Sequence, residues 1–110
     1  MFDTQQANGY REPLPGIRQK TRVYGDKTLL TEFVLTQGSV LPIHAHPYEQ
    51  TGYLIQGRLR LRIGEQEFEA QSGDAWCIPA NVEHGAHTLE DAVAIEVFSP
   101  VREDYLPQPE

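Results

Sequence analysis

The sequence predicts an all-β, single-domain protein, a sandwich or barrel of short strands, and three observations carry that prediction. Nine glycines and eight prolines are spread through 110 residues, which breaks the chain too often for long helices. No segment longer than ten residues repeats apolar side chains at the i, i+3, i+4, i+7 spacing of a helix face. Short β-branched or alternating runs recur instead, about every eight to twelve residues, with turn residues between them. The length suits one domain, large enough to bury a core without disulfide staples.

Residues 1–16 are polar, carry Gly9, Pro13, Pro15 and Gly16, and read as an extended chain rather than a helix. The expected organisation is an N-terminal arm at 1–20, a barrel at 21–100 and a tail at 101–110. Residues 28–35 are rich in β-branched and aromatic side chains and give a first strand, stopped at Gly38. A second strand at 51–55 ends at Gly57. Residues 58–63 alternate strictly, so Arg58, Arg60 and Arg62 share one face and Leu59, Leu61 and Ile63 the other. Gly64 and Glu65 turn the chain into a return strand at 67–70, with Phe68 inward and Glu65, Glu67 and Glu69 facing the arginines. A turn at Gly73–Asp74 leads to a strand at 75–78, stopped by Pro79. Strands at 84–89 and 92–98 follow, separated by a turn at Glu90–Asp91. In the last strand Val93, Ile95 and Val97 form one packed face, and Ala92, Ala94, Glu96 and Phe98 the other. Tyr48, Tyr53, Trp76 and Cys77 read as core.

The formal net charge is −7, from nine basic and sixteen acidic residues, a surface that repels phosphate backbones. No basic recognition helix is present, so nucleic acid is an unexpected partner. Apolar runs reach four or five residues, far short of the ~20 of a membrane-spanning helix. Residues 1–10 lack the basic start and apolar stretch of a secretory signal. The single cysteine, Cys77, forms no internal disulfide. A cytoplasmic protein that binds neither membrane nor nucleic acid is expected.

The chemistry is concentrated in two blocks. The first is Gly38, five residues, His44, one residue, His46, three residues, Gln50, six residues, Gly57. The second is Gly73, five residues, Pro79, one residue, Asn81, two residues, His84. Over residues 38–98 these blocks resemble the two motifs of the cupin superfamily, with Gln50 at the consensus glutamate and Asn81 at the consensus glycine after the proline. The resemblance implies a double-stranded β-helix, or jelly-roll barrel, with one metal ion inside. The residues agree with it. Alternate positions on a strand point the same way, so His44 and His46 can grip one ion. A closed barrel can bring His84 opposite them from another strand. Imidazole suits zinc, nickel, iron and copper, and one divalent transition metal ion per chain is expected (Zn, Ni, Mn, Fe or Cu). Glu49 is an alternative fourth ligand, but the run of six residues to Gly57 and the even parity with His44 and His46 favour Gln50. His87 lies three residues past His84 and faces away from it on a strand. Asn81 tolerates the left-handed backbone that the turn requires.

Three neutral histidines and an amide leave the ion its full charge, which suits Lewis-acid chemistry. Glu96, an acid in mid-strand among apolar residues, reads as lining the barrel mouth. The segment Glu96-Val97-Phe98-Ser99-Pro100-Val101-Arg102-Glu103-Asp104-Tyr105-Leu106 resembles the ending of small cupins of the pectin-degradation (KdgF-like) type. Those proteins convert 4,5-unsaturated galacturonate into its linear keto form. The resemblance implies Glu96 as acid–base group, where the family has aspartate. It implies Phe98 as packing against the ring and Arg102 as binding the substrate carboxylate. The same ligand set and a similar ending occur in a bicupin isomerase of bacilysin biosynthesis, so the site is better defined than the substrate. The expected function is therefore a metal-dependent isomerase or ring-opening enzyme acting on a small acidic sugar or keto acid. An iron- or copper-dependent dioxygenase and a non-catalytic small-molecule-binding protein are the alternatives. Open barrels leave strand edges to cover, and a homodimer is expected.

Overall fold

The structure is a computed structural model and describes residues 1–107. Among the described residues eight strands run in chain order: β1 (Arg11–Leu14), β2 (Ile17–Tyr24), β3 (Leu29–Leu35), β4 (Val40–His44), β5 (Glu49–Ile63), β6 (Gln66–Gln71), β7 (Ala75–Ile78) and β8 (His84–Ser99). A 3-10 turn, Glu103–Tyr105, follows β8. All pairings are antiparallel, in the order β1-β2-β3-β8-β5-β6, with β4 on β8 and β7 on β5. The result is the expected all-β jelly-roll barrel. No helix among the described residues is long and apolar enough to cross a membrane.

Two long strands close the barrel. β5 pairs with β7 through residues 50–53 and with β6 through residues 58–63. β8 pairs with β4 near its start, with β3 over residues 92–98, and with β5 along most of its length. Their inward rows hold the core: Leu54, Leu59 and Leu61 from β5, Ala92, Ala94 and Phe98 from β8. Alternation sets this up within each half of β5 and along residues 92–98 of β8, and the register shifts around Gly57 change the parity between Leu54 and Leu59.

Several local expectations need correction. The chain does not turn at Glu90–Asp91, since β8 runs through and Glu90 pairs with Arg58. Nor does Gly57 end a strand; it bends β5 at φ +92° where the register shifts. Turn-forming residues also make bulges, and here the closing barrel uses them that way. Residues 11–14 and 17–20, expected as arm, pair as strands on either side of a turn at Pro15 and Gly16, and Ile17 and Gln19 are buried. Phe68 shares the inward face of Ala70 and of its cross-strand partner Leu61, as expected, but β6 is an edge strand and leaves it 47% exposed. Cys77 and Tyr53 are exposed, since the inward neighbours on their strands are Ile78 and Leu54. In β8 the buried row is Ala92, Ala94, Glu96 and Phe98; Val93, Ile95 and Val97 lie half-buried on the outer face. Of the arginine row, Arg58 is paired, with Glu69 at 3.1 Å and Glu90 at 3.4 Å.

Candidate metal centre

His44 is the last residue of β4 and His84 the first of β8, and they are cross-strand partners. His46 lies two residues beyond β4, in the connection to β5, so it reaches the site from a bend rather than from the strand expected. The ligand nitrogens of His44, His46 and His84 all lie within 4.8 Å of one another. Asn81 takes φ 66° in the turn before β8, and its N–H donates to the His46 carbonyl at 2.8 Å, tying the two His-bearing segments together.

The tautomers follow from the neighbours. His44 Nδ1 lies 2.9 Å from the Pro42 carbonyl and His84 Nδ1 2.9 Å from the Val82 carbonyl. A carbonyl accepts only, so both Nδ1 atoms carry the proton and both Nε2 atoms present lone pairs. His84 Nε2 is buried without a partner. Burial holds the His84 imidazole down at about 4, with His44, His46 and Arg102 adding to the effect. His46 is lowered too, first by burial and then by Arg102 and His44. Neutral imidazoles with an inward lone pair are the form that binds a metal.

Gln50, near the start of β5, is buried, and its Oε1 stands 3.0 Å from His46 Nε2. That oxygen only accepts, so in the metal-free chain His46 Nε2 donates to it, and the same two atoms would become available to an ion once that proton leaves. Glu49 is exposed on the opposite face. The amide orientation of Gln50 is fixed at its other end, where Nε2 donates to Glu96 Oε1 at 2.6 Å. The chain's residues therefore fit a divalent ion held by three imidazoles and an amide oxygen.

Glu96 is 8% exposed, and Oε1 also accepts from Trp76 Nε1 at 2.9 Å. Burial raises its carboxyl pKa, against the lowering from Gln50, Trp76 and Arg102. Phe98 is 1% exposed and meets His46 and Tyr105 edge-on, at 5.8 and 5.3 Å between ring centroids. The Arg102 guanidinium lies 3.7 Å from the Tyr105 ring centre and also covers Tyr48 and Phe98. Its Nε and Nη2 donate to the Asp104 carboxylate at 3.2 and 2.7 Å. Nη1 takes no part in that pair. A cavity of about 80 Å³ joins the three histidines, Gln50, Glu96, Phe98 and Arg102, so all seven residues singled out in the sequence come together. His87 stays outside it, exposed.

Trp76 packs against the buried cluster, as expected of a core residue, and its Nε1 also donates to Glu96. A signal existed in Gly52, its cross-strand partner. A Cβ on Gly52 would stand 2.3 Å from the Trp76 ring, so the glycine makes room for the indole. Tyr105, in the sequence only one residue of the C-terminal ending, forms one wall of the cavity.

Comparison with known proteins agrees with this geometry. A family model described as the cupin domain matches residues 31–99. The pectin degradation protein KdgF of Dickeya dadantii (strain 3937) is 29% identical over 93 residues, covering 83% of this chain and 84% of the relative. The H2HPP isomerase of Bacillus subtilis is 32% identical over 85 residues, 74% of this chain but 36% of the isomerase. The chain thus spans about a third of the isomerase's length. The solved structure of KdgF from Halomonas sp. superimposes with a TM-score of 0.90 at 29% identity, covering 96% of this chain and 98% of that one.

Proposed function

The chain belongs to the cupin domain family, and on that premise we propose that it is a metal-dependent isomerase or ring-opening enzyme for a small acidic sugar, such as an unsaturated uronate. One observation carries the reading. A single cavity joins three clustered imidazoles to a buried carboxyl group, Glu96, and to an arginine, Arg102. The likeness to a pectin degradation protein over most of both chains supports the substrate class.

A divalent ion held by His44, His46, Gln50 and His84 would supply Lewis acidity, polarising a substrate oxygen as negative charge develops. Ring opening of an unsaturated uronate is an isomerisation. A proton leaves the anomeric hydroxyl, the ring C–O bond breaks to give an aldehyde and an enol, and a carbon takes up a proton as the enol becomes a ketone. Glu96 is the proton carrier in this reading, held on one oxygen by Gln50 Nε2 and Trp76 Nε1. Phe98 offers the sugar an apolar face. Arg102, with Nη1 outside its pair with Asp104, binds the substrate carboxylate. Cytoplasmic location and a homodimer complete the proposal, and light scattering on the eluting protein tests the dimer.

The deciding experiment combines metal analysis by mass spectrometry with an assay on 4,5-unsaturated galacturonate, following the ultraviolet absorbance of its double bond. The expected result is one ion per chain, lost in His84→Ala, and a metal-dependent loss of absorbance. Bound iron or copper with oxygen uptake and no isomerisation would replace the reading with the dioxygenase alternative. Uronate binding without turnover would replace it with a binding protein.

A further inference from the structure

We propose that the groove outside the metal cavity is a second binding subsite, in which Gln19 and Arg11 recognise the hydroxyl groups at the far end of a polyhydroxylated acid. The inference rests on the proposed function only for the identity of that acid.

The inner cavity, about 80 Å³, is small for a whole ligand, since pockets that bury one run roughly 300–1,000 Å³. It takes only the reacting end. A groove of about 720 Å³ adjoins it and shares Phe33, His44, Arg102 and Tyr105 with it. A molecule anchored at the histidines therefore continues into the groove, where Arg11 and Gln19 form part of the lining.

Gln19 is the unusual member. It sits on the inward row of β2, 2% exposed, and its Nε2 has no hydrogen-bond partner among the described residues. The polar side chains around it are satisfied. Thr21 Oγ1 donates to the Tyr105 carbonyl, and Thr31 Oγ1 to the Lys20 carbonyl at 3.0 Å. An unpaired buried amide lowers stability, and residues that break a folding rule gather at functional sites. Arg11 is the cross-strand partner of Gln19. One of its nitrogens donates to the Asp104 carbonyl at 2.9 Å, and its guanidinium lies 5.4 Å from the Tyr105 ring centre. That contact fixes the guanidinium at the groove wall with donors to spare. An amide both donates and accepts, as a hydroxyl does, and Leu14, Ile17 and Leu41 give the sugar's C–H face an apolar wall.

The test compares galacturonate with tetrahydropyran-2-carboxylate, a ring acid without hydroxyls, by calorimetry on the metal-loaded protein and on Gln19→Leu. Wild type is expected to favour galacturonate. Gln19→Leu should weaken galacturonate about tenfold, leave the hydroxyl-free acid and the metal content unchanged, and raise Tm by several degrees. A Gln19→Leu protein that keeps the galacturonate preference, or loses both acids alike, overturns the subsite. So does a lower Tm with both affinities intact, which marks Gln19 as structural. If the preference depends on Gln19 while no uronate is ever turned over, the proposed reaction falls and the subsite stands.

Discussion

Glu96 receives two N–H donors on one oxygen, and the proton-carrier role proposed for it depends on both. Trp76→Phe keeps the ring and deletes one donor. Turnover should fall about tenfold while bound metal, read by mass spectrometry, stays at one per chain. Stability should drop by ~1–3 kcal/mol in a urea titration, because a hydrogen bond to a buried acceptor is lost. His84 gives a second residue-level expectation, for the metal-free protein. Its pKa is about 4 in the fold against 6.5 in the unfolded chain. The unfolded chain takes up the proton first, so stability falls as pH drops from 6.5 through 4. Glu96 acts in the opposite sense, since burial raises its pKa and stability is lost as pH rises above its ordinary value. The His84 part is therefore read by difference: Tm of wild type should fall more steeply on acidification than Tm of His84→Gln. Equal slopes would remove the buried imidazole from the account. The histidines were legible in the sequence because each sits in a short block of fixed spacing, His44 and His46 in the first and His84 in the second. Trp76 and Gln19 were not, because their surroundings depend on cross-strand register and on the distant turn Glu103–Tyr105.

At the scale of elements, the barrel depends on β5 and β8 each serving two sets of partners. The sequence read both as broken strands, at Gly57 and at Glu90–Asp91. Local composition cannot separate a turn from a bulge, since both favour glycine and acids. The difference is decided by what lies opposite. A Cβ on Gly57 would stand 2.3 Å from the Asp91 carbonyl and 2.6 Å from Ala92 Cα, both backbone atoms of β8. Gly57→Ala therefore adds a clash to an unfavourable φ, and should cost about 3 kcal/mol. Urea unfolding measures it, and a loss under about 1 kcal/mol would mean that the two strands part easily there. Alternation within each strand was legible, which is why the inward leucines of β5 were placed correctly and its two halves were not joined.

At the scale of the molecule, fold class came from the rhythm of turns, and the candidate metal centre from two motifs, but the closure that brings them together is a property of the whole sheet. β4, the β4–β5 connection, β5 and β8 each present one candidate ligand. An ion held by all four clips together segments that meet only in the folded barrel, so binding and folding are linked. Mass action sets the size of the effect: with free metal at a thousandfold over Kd, the native state gains ~4 kcal/mol. For a domain of this length that corresponds to a Tm rise of roughly 15 °C. Stripping the protein with a chelator should reverse it, and adding the ion back should restore it. His84→Ala should start from a lower Tm, because it opens a void in the core, and show little further response to metal or chelator. If Tm of the wild type is the same with and without the ion, the four segments are held by the sheet alone and the histidine cluster is no metal centre.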